Sequence, residues 1–395
     1  MKVLVVSQYF YPEQFRVNEM CFEMARCGSE VTVLTGLPNY PEGIIHSAYR
    51  RLKRRNEKIH GVTVKRVPIM GRGRNRITLS LNYLSFALMA SIQSIFLRGK
   101  FDLIIVYQLS PVTMALPAII LKWLTGKPLI LYCHDLWPAS ASAGGIEDGG
   151  ILYRLLLTMS RWVYRNCDEI IISSKQFEHY FHNELGIEQK LTYLPVFAES
   201  IFEGIGLDKG NSEETHFVFA GNIGEMQSVE TILYAAKELI DEKRIHFHIV
   251  GSGTSRKQCQ QLAEDLGAVN VTFYGHLSLG ELPFFYKMAD AMIVTLKAEK
   301  SLSYTLPNKV QSYMAASKPI LGAINGETRR VIEESGCGYC TTAEDYKGLA
   351  SIIRRFASEK NKHEQFGQRA RSYYDSHYSK TLFIERLNKV LQKYG

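Results

Sequence analysis

No low-complexity tract and no motif recurring at a period of about 20–50 residues interrupts this sequence, which excludes a solenoid, a propeller or a fibrous chain. Cysteine is sparse and scattered. The seven copies include one CxxC, Cys337 and Cys340 in CGYC, with no second pair at zinc spacing. A zinc ribbon and a disulfide framework are both excluded, and the thiols read as incidental in a reducing cytosol. CGYC itself reads as turn plus strand. No GxGxxG is present: VGSGTSR (250–256) holds only GxG, which suits a tight turn as well as a nucleotide. The apolar run of MKVLVVSQYF is too short for a signal peptide and lacks a small-residue cleavage site, so it reads as a first buried strand. Acidic balance is lacking as well. The net charge is +8, with basic stretches at 50–58 (RRLKRRNEK) and 71–76 (GRGRNR). No nucleic-acid recognition motif accompanies them, and no nucleic-acid partner is expected. They suit a solvated loop, or an anionic membrane surface, worth about 1 kcal/mol per basic residue near the lipid.

What is present is ordinary for a globular chain, 46% hydrophobic and 22% charged over 395 residues. That length exceeds one ordinary core and suits two domains of about 200 residues each. Continuous apolar runs at 2–7, 30–35, 62–67, 103–107, 128–133 and 169–173 predict strands covered on both faces. Helical patterns intervene near 14–27, 77–97, 111–124, 150–166 and 175–185. This alternation predicts a doubly wound parallel sheet. A short strand, LTYLP, closes the first domain (1–197), and polar 198–215 reads as a linker. The pattern restarts with strands at 216–221, 245–251, 271–275, 291–296 and 319–324, and helices at 227–242, 254–266, 279–289, 307–316 and 326–334. The second domain is set at 216–375, and 376–395 is read as a terminal helix packing back on the first domain. Ligands of such sheets bind beyond the carboxyl ends of the strands, so the chemistry is expected in the loops there.

GNIGEMQSVETIL (221–233) hands a strand to a helix yet contains no Lys or Arg. Glycines at Gly221 and Gly224 permit close backbone approach. A helix starting near Gln227 offers free N–H groups and about half a positive charge to an anion. HDLWPASASAGG (134–145) puts His134 and Asp135 at a strand's carboxyl end. In LSYTLPNKVQSYMAASKPIL (302–321), Pro307 starts a helix and Lys309 sits in its first turn. Lysine there opposes the helix dipole, which suits a phosphate partner better than a purely structural role. Gln14, Arg16 and Asn18, in the loop after the first strand, are candidates for acceptor or diphosphate contact. The apolar stretch 77–97 is long enough to span a bilayer of about 30 Å, but Ser80, Asn82, Ser85, Ser91, Gln93 and Ser94 interrupt it. Transmembrane, fully buried and amphipathic helices all remain open. The last, with an edge toward a membrane surface, fits best.

Taken together, SQYFYPEQFRVNEM, TGLPNYPEG, HDLWP, AGNIGEMQSVETI and LPNKVQSYMAASKPIL resemble the GT-B glycosyltransferases of family 4 over nearly the whole chain. The resemblance is strongest to the bacterial surface-polysaccharide branch that includes N-acetylfucosaminyl transferases of the WbuB type. It implies an α/β chain of two Rossmann-like domains facing a cleft, a UDP-sugar donor on the second domain, an acceptor on the first, retention of configuration and no catalytic metal or other cofactor. It implies donor contacts from Gly221, Asn222, Gly224, Gln227, Gly251, His276, Leu277, Pro307, Asn308, Gln311 and Ser312, and chemistry from His134, Asp135 and Lys309. Where the family usually has Arg and Lys after the first strand of the second domain, this chain has Asn222 and Gln227. Where it usually has a spaced pair of Glu, this chain has Tyr304 and Ser312. The expected activity is transfer of a sugar, such as N-acetylfucosamine or a related N-acetylated deoxyhexose, to a polyprenyl-diphosphate-linked sugar in O-antigen or capsule synthesis. The expected location is cytoplasmic, peripheral on the inner face of the plasma membrane. The competing readings are a nucleotide-sugar epimerase of the same fold and a non-catalytic nucleotide-sugar-binding subunit.

Overall fold

The computed structural model describes residues 1–73, 75–143, 145–206 and 213–394. Arg74 of the second basic stretch, Gly144 of the His134 loop and 207–212 of the expected linker lie outside the described residues. The chain divides into two compact units, Met1–Leu194 with Ile384–Gly395, and Pro195–Phe383.

In the first unit, β1 (Lys2–Val6), β2 (Glu30–Gly36), β3 (Asn56–Ile59), β4 (Val62–Val67), β5 (Leu103–Gln108), β6 (Leu129–Cys133), β7 (Glu169–Ile172) and β8 (Lys190–Tyr193) form one sheet in the order β3-β4-β2-β1-β5-β6-β7-β8. Every pair is parallel except β3 with β4. The apolar runs buried on both faces are the central strands, as a doubly wound sheet requires. β3 falls within the basic stretch 50–58, which the sequence leaves as loop or surface patch. It is an antiparallel edge, and the buried Arg66 of β4 pairs with Glu57 there at 2.5 Å and stacks 4.7 Å from the Tyr49 ring. Buried Glu169 accepts from Tyr394 (2.8 Å) and Lys393 (3.2 Å), which ties the terminal segment to β7.

Helix Arg76–Ile95 packs on helix Leu116–Thr125 with an inverted face. Asn82 is fully buried, while Ile77, Leu81, Leu84, Leu88 (62% exposed), Ile92 and Ile95 face outward. The fully buried reading of 77–97 therefore fails. The spanning reading fails too, since among the described residues no helix is long and apolar enough to cross a membrane.

The second unit holds β9 (Thr215–Ala220), β10 (Ile245–Val250), β11 (Val271–Gly275), β12 (Ala291–Thr295), β13 (Ile320–Ala323) and β14 (Gly338–Thr341). All are parallel, in the order β11-β10-β9-β12-β13-β14. β14 is the CGYC stretch. Ala198 and Phe202, within the expected linker, belong to this unit's core beside Val218, Tyr313 and Tyr374.

Candidate active site

In the second unit, the turn after β9 is built from three stacked strand-to-helix turns. Gly221 N–H donates to Val250 O, Ile223 N–H to Ser252 O, and Gly251 N–H to Gly275 O, at 2.8–2.9 Å. Gly251 has φ +144°, and a Cβ there would overlap the Gly221 carbonyl oxygen. Helix Val229–Glu238 starts later than the sequence suggests. Glu225–Gln227 forms one 3-10 turn, and Ser228 takes the left-handed conformation (φ 46°) before the helix begins. The N–H groups left over are therefore those of the turn itself. Among the described residues, Asn222, Gly224 and Glu225 donate their N–H groups to no protein acceptor.

The positive charge that the turn lacks arrives from helix Asn308–Ala315. Lys309 Nζ donates to Gln227 Oε1 at 3.0 Å and lies 4.0 Å from the centre of the Phe219 ring. A Cβ on Gly221 would stand 2.8 Å from that nitrogen. No ion pair among the described residues involves Lys309, and burial lowers its pKa to about 7. Lys297, nearby in sequence, is by contrast paired with Glu230 and Glu344. The helix carrying Lys309 is pinned to β9 through Tyr313, whose hydroxyl exchanges hydrogen bonds with Ala220 N–H (3.2 Å) and O (3.0 Å).

The structure thus brings Gly221, Asn222, Gly224, Gln227, Gly251 and Lys309 together, with Pro307 and exposed Asn308 at the start of the lysine's helix. His276 is exposed beyond β11, and Leu277 packs on the core. Gln311 is buried, and with its amide turned so that both ends are satisfied the nitrogen donates to Pro307 O (2.9 Å) and Asn308 O (3.2 Å) of its own helix. Ser312 is also buried, and its hydroxyl donates to Glu199 Oε2 at 3.0 Å. Tyr304 is buried. Glu199 has no sequence signal, because 113 residues separate it from Ser312.

In the first unit, His134 leaves β6 between two rings, with Tyr107 and Tyr132 each 4.1 Å away by centroid. Its Nε2 is buried without a partner, and burial holds its pKa down to about 3. The imidazole is neutral near pH 7 and can orient a hydroxyl, but it carries no spare proton as a cation would. Arg16 is the first residue of helix Arg16–Arg26 and pairs with Glu19 at 3.7 Å. Asp135 is engaged within the fold. Its two carboxylate oxygens accept from Ser110 and Ser140, and Trp137 Nε1 donates to Ser110 Oγ at 3.0 Å. Burial raises its pKa against these bonds. The carboxylate organises the loop that presents His134. Asn18 Oδ1 accepts from Tyr11 N–H (3.0 Å) and its Nδ2 donates to Glu13 O (2.7 Å), which fixes the loop after β1. Gln14 is exposed.

A turn with free N–H groups and a lysine without a carboxylate partner, in one of two tandem doubly wound units, has the chemistry to receive a phosphorylated ligand. Comparison with known proteins identifies the family. Residues 14–196 match the glycosyl transferase 4-like domain, and residues 208–373 match the glycosyl transferases group 1. The chain belongs to these GT-B glycosyltransferases. It is 24% identical over 378 residues to the putative colanic acid biosynthesis glycosyl transferase WcaI of Escherichia coli (strain K12), covering 90% of this chain and 92% of that one. It is 26% identical over 258 residues to the probable glycosyltransferase WbjE of Pseudomonas aeruginosa, covering 62% of this chain and 63% of WbjE, less than two thirds of its length. Anabaena Alr3699/HepE, solved in complex with UDP, has the same fold, with a TM-score of 0.73, 14% identity and full coverage of both chains (100% of each).

For a glycosyltransferase, the site's electrostatics suit a leaving diphosphate. The lysine is desolvated before ligand arrives, and its gain on meeting an anion is large for that reason. Among the described residues no three His, Cys, Asp or Glu side chains converge as a metal site would need.

Proposed function

We propose that this glycosyltransferase moves a sugar from a UDP-sugar, with retention of configuration, onto a polyprenyl-diphosphate-linked sugar during bacterial surface-polysaccharide assembly. The observation that carries the proposal is Lys309, a cation without a carboxylate, seated against the Gly221 turn. The names of WcaI and the UDP bound to HepE support the pathway and the nucleotide. As the bond from the sugar's anomeric carbon to the diphosphate oxygen breaks, charge builds on that oxygen. Lys309 and the N–H groups of Asn222, Gly224 and Glu225 meet it, in the role a divalent ion has elsewhere. The acceptor hydroxyl attacks the same face and passes its proton to the leaving phosphate, so no protein nucleophile is consumed. Neutral His134 orients a sugar hydroxyl. The Glu199 carboxylate, held by Ser312, offers an acceptor for a donor hydroxyl in place of the Glu expected at 312.

The test is a panel of UDP- and GDP-sugars offered with polyprenyl-diphosphate-linked GlcNAc in EDTA, read by mass spectrometry. The expected result is a mass gain of one sugar from a UDP donor. Nucleotide binding with no product from any donor overturns the reading in favour of a binding subunit, and acceptor-independent conversion of the donor overturns it in favour of an epimerase.

The lipid-linked acceptor calls for a membrane-facing surface. The first unit offers the outward Leu81, Leu84, Leu88 and Ile92 of helix Arg76–Ile95, and Ile151, Leu152 and Leu155 beside Arg154 on helix Ile151–Arg165. Apolar side chains with basic neighbours suit an anionic interface. Leu84→Glu with Leu88→Glu is expected to lower co-pelleting with phosphatidylglycerol-containing vesicles at least about tenfold, since each change replaces an exposed apolar group that would enter the interface with a repelled charge. Unchanged pelleting would remove this helix from the interface.

A further inference from the structure

Two stretches that the donor chemistry leaves unused, TGLPNYPEG and GRG (71–73), form one locked double loop. Gly73 N–H donates to Gly43 O at 2.8 Å. A Cβ on Gly43 or Gly71 would strike the backbone of the opposite loop, at 2.5 and 2.9 Å. Beneath them runs a buried polar network. Glu13 accepts from the N–H groups of Asn39 (2.8 Å) and Tyr40 (2.6 Å). Asn39 Oδ1 accepts from Arg72 N–H (3.0 Å) and Asn82 Nδ2 (3.3 Å), and Asn82 Oδ1 accepts from Gln8 Nε2 (2.7 Å). Such connected networks hold their loops in place, although Gln8 Oε1 at the end of this one is buried without a partner.

What the network holds up is Arg72. Its guanidinium lies 5.3 Å from the centre of the Tyr40 ring and donates to Tyr9 OH at 3.4 Å. It takes part in no ion pair among the described residues. Glu13, joined to it through Asn39, is occupied by backbone N–H groups. Arginine has five donors in a planar fork suited to a bidentate oxyanion, and here only one long bond is made. Tyr9, Phe15 and Tyr40 cluster with ring centroids 5.1–5.9 Å apart, and Tyr40 is 42% exposed. Arg72, Tyr9 and Tyr40 stand on loops beyond the carboxyl ends of β4, β1 and β2.

We propose that Arg72, flanked by Tyr9 and Tyr40, binds a phosphate of the acceptor, whose chemical class is a glycosyl diphosphate, with the aromatic rings against its sugar or first isoprene carbons. This rests on the transferase reading above, in which the donor diphosphate is met by Lys309. The experiment compares full-length wild type, Arg72→Ala and Arg72→Lys with farnesyl-diphosphate-GlcNAc as acceptor. Arg72→Ala is expected to raise acceptor KM at least about tenfold, with donor KM shifted less than about twofold. Arg72→Lys should recover only part, because a point charge cannot replace the fork. Direct titration of the same probe, competed by inorganic pyrophosphate, gives a readout without turnover. Unchanged acceptor KM and probe affinity in Arg72→Ala, with the lysine variant folded, overturns the assignment. A loss confined to donor KM overturns it in favour of the donor diphosphate. If wild type transfers no sugar, the transferase reading fails, while probe binding still decides Arg72.

Discussion

Lys309→Met is expected to lower kcat by about 10²- to 10³-fold, the usual consequence of removing one preorganised donor to a developing anion, without lowering the melting temperature. The two effects share a cause. Lys309 meets an amide oxygen and a ring face and no carboxylate, so at pH below about 7 the folded protein bears a partly desolvated cation that an anionic ligand relieves. An apolar side chain of similar volume removes that cost. The pH dependence follows in sign. Burial lowers the Lys309 pKa from an ordinary 10.5 to about 7. Below pH 7 both folded and unfolded chains hold the proton, and the penalty is complete. From about pH 7 to about 10.5 the unfolded chain binds a proton that the folded one has released, so stability rises with pH across that window and levels off above it. The rise should vanish in Lys309→Met. Diphosphate restores the ammonium, so UDP binding at pH 8 should take up close to one proton, roughly the fraction missing at one unit above the pKa. Calorimetry in buffers of different ionisation enthalpy measures it. Proton uptake that persists in Lys309→Met would sink the assignment.

The elements legible in the sequence were those whose signal is local. Continuous apolar runs marked the central strands, and GNIG, HDLWP and PNK marked loops at their carboxyl ends, where the site lies. β3 was not legible, because NEKI has no strand-like alternation and becomes a strand by pairing with β4. Helix Arg76–Ile95 was legible as a helix but not in orientation. Its burial follows what surrounds Asn82, not its hydrophobicity. Side-chain hydrogen-bond partners were not legible for the same reason. Asp135 is held by Ser110, which lies 25 residues away, and Asn18 is spent on its own loop. Gln311 turns back on its helix. Residue type and position put these groups near the chemistry, and only the fold shows which polar atoms remain free.

The second large effect separates glycines that one motif-level reading would treat alike. Gly251→Ala is expected to lower the melting temperature of the C-terminal unit by about 10 °C or more, or to prevent its folding. A loss above about 4 kcal/mol corresponds to roughly that shift in a domain of this size. At φ +144° the backbone is in a region that side chains rarely adopt, and the new Cβ would overlap the Gly221 carbonyl oxygen. That oxygen cannot retreat, because the same peptide segment is tied to β10 through Gly221 N–H and Val250 O. Gly224 differs. Its φ is −107°, and a Cβ there would meet only the Asn222 side-chain nitrogen at 2.8 Å, on an exposed residue free to rotate. Gly224→Ala should therefore cost less than about 1 kcal/mol, yet raise donor KM several-fold, because the added methyl crowds the N–H groups on which the diphosphate is placed. Thermal unfolding and donor kinetics on the two variants read the two effects apart. A Gly224→Ala protein with unaltered donor KM would mean that the anion is held by Lys309 and not by the turn, and a stable Gly251→Ala protein would mean that the three turns are less tightly stacked than their hydrogen bonds require.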